Sequence, residues 1–327
     1  MKGVRSFGKS FSATTKILLP VILSTVALSG HSQAADHLFQ PKDEGNLRLS
    51  AGIGYAWIRA DERVYAEGDR ISHLIWKSQT PVISGEIDFR SDTGLTVVAR
   101  ARVGVAGTGK MDDYDWIDDY FKSYRFEDWT HHSHHSVELE RYFTGDIAIG
   151  YDFVLNDDNT LNLSGGLKYT NIKFNSYGGT FTYSKDGFRD VSGTFPDVPN
   201  IFYEQKIPAA FAGLRWSGTF TNIRLTAEAR AGATFHARDT DWHWLRPLLF
   251  QTRLESAPFL ELRAEMQHQL SGQAAIFAAA DFERHFEMLG IDRATDMRTN
   301  RRDPDSDSVE GAALQSFTVS FGLKVRF

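Results

Sequence analysis

The sequence predicts an all-β fold, a ten-stranded antiparallel transmembrane β-barrel with long extracellular loops and short periplasmic turns. Three observations predict it. Alternation with a period of two recurs along the chain, and strand after strand carries one apolar and one polar face. Long strands of this kind suit a barrel with lipid outside and a polar lumen. Beyond the N-terminal segment, no apolar run reaches the roughly 20 residues that a membrane helix needs. The final stretch, "FTVSFGLKVRF" (317–327), alternates Phe317, Val319, Phe321, Leu323 and Val325 and ends on Phe327, as bacterial outer-membrane barrels do.

The first element is an export signal. Lys2, Arg5, Lys9 and Lys16 precede an apolar run at 17–28, too short to span, and "SQAAD" offers small residues for cleavage before Ala35. Residues 1–34 are therefore expected to be removed, leaving 35–327 as one barrel domain in the outer membrane. Within it, "LTVVARARVGV" (95–105) sets Val97, Ala99, Ala101, Val103 and Val105 against Arg100 and Arg102. "NIRLTAEARAGATF" (222–235) sets Ile223, Leu225, Ala227, Ala229, Ala231 and Phe235 against Arg224, Thr226, Glu228 and Arg230. Short turns are expected at 91–94, 156–159, 217–220 and 270–273, and long loops near 59–71, 109–140, 176–200, 238–250 and 289–312. Four short and five long connections, alternating, give ten strands with both ends on the periplasmic side.

Composition narrows the chemistry. With no Cys among 327 residues, disulfides, thiolate metal sites and cysteine nucleophiles are excluded. The net charge of −6 becomes more acidic once the basic leader is gone, which disfavours nucleic acid and suits cationic partners.

Two acidic clusters fall at the outer rim. "MDDYDW" (111–116) places Asp113 and Asp115 at i and i+2, on one face of an extended chain roughly 6–7 Å apart. "DTDWHW" (239–244) does the same for Asp241 and His243. A carboxylate fixes an imidazole's tautomer and raises its basicity, and two carboxylates across a gap can hold a water. The two pairs can form a water-activating site with neither metal nor covalent nucleophile; the same residues also read as solvated rim charges. His131, His132, His134 and His135 in "WTHHSHH" (129–135) could bind a divalent ion, but no HExxH spacing is present and no metal is expected. Ser133 and His135 form a further i, i+2 pair that no spacing rule singles out.

These motifs, taken in order, resemble the omptin family of outer-membrane endopeptidases. The stretches that carry the resemblance are "ERVYAEGDRISHLIWK" (62–77), "GKMDDYDW" (109–116), "WTHHSHH" (129–135), "GGTFTYSKDGFRD" (178–190) with "SGTFP" (192–196), "YEQKIPAAFAGL" (203–214) and "DTDWH" (239–243). The resemblance implies a ten-stranded barrel with an outward-facing active groove. It implies His243 as general base, Asp241 as its orienting acid, and Asp113 with Asp115 as holders of the nucleophilic water, leaving Asp112 as an ordinary rim charge. It implies that Glu62 and Asp239 line a primary pocket for Arg or Lys, with cationic peptides or proteins as substrates, often cut at basic pairs. Ser133 and His135 match secondary positions of the family, although His131 and Ser136 replace the usual Asp and Pro. Lys206 matches a basic position of the family's lipid-binding site, with Lys168 and Lys173 nearby. The acidic and basic residues of the lipid-contacting motif are absent from 166–172. An outer-membrane lipid partner is implied, and a requirement for lipopolysaccharide, the one cofactor in question, is left open. The alternatives are a non-catalytic barrel (porin, adhesin or pseudo-enzyme) and a lipid-modifying barrel enzyme, which would need its residues at membrane depth.

Overall fold

The computed structural model describes residues 46–117, 120–302 and 308–327, so the expected signal peptide and the boundary at Ala35 lie outside the described residues. The hairpin β1 (Leu47–Ala66) and β2 (Asp69–Arg90) opens the barrel. β3 (Leu95–Gly104) and β4 (Gly107–Asp115) run end to end between β2 and β5 (His131–Asn156). β6 (Asn159–Tyr183) follows, with the short β7 (Val191–Thr194) folded back on its outer end, and then β8 (Pro199–Phe220). β9 (Ile223–Thr234) and β10 (Arg238–His243) both pair with β8. β11 (Leu248–Leu254) and β12 (Pro258–Gln269) lie between these and β13 (Ala274–Ile291). The short β14 (Ala294–Asp296) and β15 (Arg301–Arg302) sit at the outer end, and β16 (Val309–Arg326) pairs with both β13 and β1. That last pairing closes the sheet, and every pair is antiparallel.

The sixteen segments differ from the ten continuous strands expected, because three of the long staves are broken in two and three short strands, β7, β14 and β15, are added at the outer end. The breaks fall at 105–106, 235–237 and 255–257, where the backbone bends on leaving the apolar belt; His236 at one of them has a φ of 51°. The expected loops are corrected too. Residues 59–66 and 69–71 continue β1 and β2 around a turn at 67–68, and 109–115, 131–140, 176–183, 238–243 and 309–312 are also strand. Their backbone groups are paired in the sheet well beyond the lipid, so polar sequence there marks a water-exposed strand and not a loop. The short turn expected at 217–220 lies instead at 221–222, with Thr221 at a φ of 59°.

The two faces have opposite chemistry. Ile83, Val103, Ile147, Ile149, Leu167, Phe321 and Leu323 project outward, as the alternation predicts. Between them, inward-facing acids and bases pair across the lumen. Arg100 reaches Glu228 at 2.8 Å, Arg102 reaches Asp281 at 2.8 Å, and Lys168 meets Glu261 at 3.1 Å and Glu283 at 2.9 Å. Each pair joins different staves, so the ion pairs hold the walls together and fill the lumen at membrane depth. Outward-facing Arg59, Lys77, Arg284 and Gln315 lie in adjoining register positions above this belt and mark where the wall meets water. All of the chemistry described next lies above that line.

Candidate active site

Asp113 and Asp115 stand on β4, and the antiparallel register runs a row of residues through them. Glu62 on β1 is opposite Leu74 on β2, which is opposite Asp113, which is opposite Ser133 on β5. The row therefore joins Asp113 through β2 to Glu62 and through β5 to Ser133, while Asp115 stands opposite Ser72 and His131. Met111 and Trp116, both buried, pin β4 on either side of the pair; Trp116 Nε1 donates to Arg125 O at 2.7 Å and its ring lies under Arg70. Ser72 Oγ donates to Asp113 Oδ1 at 3.4 Å. Burial, and then each other's charge and that of Asp241, push Asp113 well above the usual carboxylate range; Asp115 is raised by burial. A pair of acids in this state holds at least one proton more tightly than free carboxylates do.

Asp241 and His243 face them from β10. His243 Nε2–H donates to Asp241 Oδ2 at 2.5 Å, while Arg246 Nη2 donates to His243 Nδ1 at 2.9 Å. In this arrangement Nε2 is the donor and Nδ1 the acceptor of the ring. Asp113 interacts electrostatically with Asp241, and Asp115 with His243, so the two pairs share one mouth. Arg246, from the turn after β10, acts on Asp113 and Asp115 alike and lowers the proton affinity of both.

Glu62 and Asp239 are buried together below this level. Trp76 Nε1 donates to Glu62 Oε2 at 3.3 Å, and the Tyr203 hydroxyl approaches Asp239 Oδ2 at 3.5 Å. Trp76 stacks between Phe174 and Tyr203, with centroids 5.5 and 5.6 Å away, and this aromatic pillar closes the pocket beneath. Burial raises Asp239 to about 7 and pushes Glu62 well above the usual carboxylate range, Asp241 and Asp239 adding repulsion to Glu62.

Ser133 and His135 are buried beside the site. His135 Nδ1 faces the Gly178 carbonyl, which can only accept, so His135 Nε2 accepts from Ser133 Oγ at 2.8 Å. Gly179 makes room for this ring; at its φ of 113° a Cβ would lie 2.2 Å from His134 O and 2.8 Å from His135 Nδ1. His132 and His134 alternate to the outer face and both bond Asp112 Oδ1, at 3.3 and 2.7 Å, so Asp112 belongs to an outward cluster and not to the site. Lys206 is exposed on the outer wall and pairs with Glu204 at 3.0 Å.

Sequence spacing missed Ser72, Arg246, Gln205, Asp292 and Glu310. Spacing finds neighbours on one strand, whereas these are brought in across the register or by a turn. The motif "SHLIW" around Ser72 was visible, but nothing local tied it to Asp113.

The omptin family matches residues 43–327 of this chain. The chain belongs to the omptin family. It is 26% identical over 312 residues to the plasminogen activator of Yersinia pestis, covering 92% of this chain and 96% of that protein. The solved structure of the outer membrane protease OmpT from Escherichia coli superposes with a TM-score of 0.78 at 22% identity, covering 86% of this chain and 97% of that one. This omptin is accordingly an outer-membrane β-barrel protein and a protease.

Proposed function

We propose that this omptin is an endopeptidase that cuts peptides and proteins after Arg or Lys, often at basic pairs, with a water activated by its Asp and His pairs. The observation that carries the reading is the meeting of β4 and β10 across the mouth, with Asp113 interacting with Asp241 and Asp115 with His243. In this reading a water held between Asp113, Asp115 and His243 attacks the scissile carbonyl. His243 Nδ1 takes the water's proton once Arg246 swings aside, and Asp241 stabilises the imidazolium. The proton then passes to the leaving amine. Glu62 and Asp239 neutralise the basic side chain before the scissile bond.

The porin alternative is disfavoured by the ion pairs that cross the lumen, Arg100 to Glu228 and Lys168 to Glu283 among them. The lipid-modifying alternative is disfavoured by the height of the site, above the apolar belt. Ser133 and His135, joined to each other and to the Gly178 carbonyl, act as a buried brace behind Asp113. Lys206, exposed on the outer wall, is offered to outer-membrane lipid, and the comparison with and without lipopolysaccharide reads whether activity requires it.

The test is hydrolysis of a quenched peptide carrying Arg-Arg or Arg-Lys by the chain refolded in detergent, with and without lipopolysaccharide. His243→Ala and Asp113→Ala are each expected to lose at least about a hundredfold in kcat, and exhaustive chelation is expected to change nothing. Unchanged cleavage in either variant would remove the role given to that residue.

A further inference from the structure

The pocket of Glu62 and Asp239 contains more acid than its sequence motifs carry. Asp239 stands opposite Gln205 on β8 and Thr252 on β11. Thr252 Oγ1 lies against Glu310 Oε2 from β16 and 3.2 Å from Asp292 Oδ1, just beyond β13. Glu310 interacts with Asp239, Glu62 and Asp292. Four carboxylates from four regions of the chain therefore form one cluster, and all four are buried.

Two features suit this cluster to a cation. Throughout the lumen below, buried acids are matched by bases, as Asp281 is by Arg102 and Arg263. Among the described residues, none of Glu62, Asp239, Asp292 and Glu310 forms an ion pair with Lys or Arg. The second feature is a surplus of acceptors. Glu310 Oε1, Asp241 Oδ1 and Gln205 Oε1 are buried without a hydrogen-bond partner, on residues only 4%, 3% and 0% exposed. A buried acceptor left unmatched costs on the order of 1–3 kcal/mol, so these atoms mark where a donor-rich ligand fits.

We propose that Glu310 and Asp292 are specificity-determining residues that, with Gln205, make this pocket a guanidinium receptor and favour Arg over Lys before the scissile bond. The inference rests on the reading that the chain cuts after basic residues. The chemistry separates the two side chains. The orphaned acceptors come from the paired strands β8 and β10 and from β16. A guanidinium carries five N–H donors in a rigid plane and sheds its hydration readily. An ammonium carries three donors on one strongly hydrated atom and spreads them less widely than the planar guanidinium does.

The test compares two quenched peptides that differ only by Arg or Lys before the cut, using the refolded full chain. The wild type is expected to favour Arg by at least about tenfold in kcat/KM. Glu310→Gln is expected to lose about tenfold on the Arg peptide, chiefly through KM, and less than about threefold on the Lys peptide. Glu310→Asp is expected to restore part of the preference, and Asp292→Asn to show a smaller version of the same collapse. Heat-modifiable mobility establishes that each variant is a folded barrel. Binding of uncleaved peptides to His243→Ala, read by fluorescence, supplies the same comparison without hydrolysis. An unchanged Arg-to-Lys ratio in a folded Glu310→Gln barrel overturns the proposal, and so does equal binding of both peptides to His243→Ala. If the wild type cuts neither peptide while Arg-selective binding still depends on Glu310, the hydrolytic reading falls and the guanidinium receptor stands.

Discussion

Arg246 donates to the one ring nitrogen of His243 that Asp241 leaves free. It also supplies the positive charge that makes Asp113 and Asp115 tolerable side by side. Its loss removes one of the groups that lower the proton affinity of both acids, so their protons are held to higher pH. Arg246→Ala is therefore expected to move the acid limb of the kcat/KM profile upward, whereas a purely steric role for Arg246 would leave the limb in place. Stability carries the opposite sign from an ordinary salt bridge. Asp239 binds its proton up to about 7 in the fold, against a usual value of 3.8, so the folded chain holds more protons than the unfolded one between those values. Stability from this group is present at low pH and is lost as pH rises through that window. Asp239→Asn should accordingly stabilise the barrel at pH 8, on the order of 2–4 kcal/mol, and the gain should vanish near pH 4 in heat-modified mobility. Equal gains at both pH values would contradict the assignment. At this scale the sequence disclosed Asp113, Asp115, Asp241 and His243, because each pair lies on one strand. Glu310 and Asp292 are isolated acids in the sequence, and only the register brings them to Asp239.

At the scale of the element, the strands outrun the membrane, and this carries the site out to water. β1 needs only about half its 20 residues to cross the apolar belt; the rest, from Arg59 on, forms a rim wall paired to β2 and β16. That wall was illegible as strand because it has no lipid to face, so the apolar alternation stops where the membrane does. The breaks between β3 and β4 and between β9 and β10 fall at the same level. They let the rim turn independently of the belt while keeping β4 paired to β2 and β5. Carboxylates carried on paired strands are held more closely than loops would hold them, as a shared water requires. The lipid-facing halves, by contrast, were fully legible, since alternation there has one physical cause. Phe321, 60% exposed and paired in register with Ile53 and Ala278, sits in the middle of the belt. Phe321→Arg is expected to cost about 2–4 kcal/mol of folding free energy in lipid, and a variant as stable as the wild type would place that face elsewhere.

For the whole molecule, closure of β16 onto β1 removes every free sheet edge in the belt, and ion pairs from opposing walls brace the lumen. The barrel thereby becomes a rigid ring that fixes the distance between β4 and β10, which are far apart in sequence. That ring is what brings the Asp113/Asp115 and Asp241/His243 pairs into one candidate site, and it explains why charge and spacing alone favoured a solvated rim. The most direct test is a double-mutant cycle on kcat with His243→Ala, Asp113→Asn and the two combined. If imidazole and carboxylate act on one water, removing the second costs little once the first is gone, and the double variant is about as slow as the slower single one. Losses that multiply, each variant reducing kcat by its own full factor in the presence of the other, would contradict a shared water.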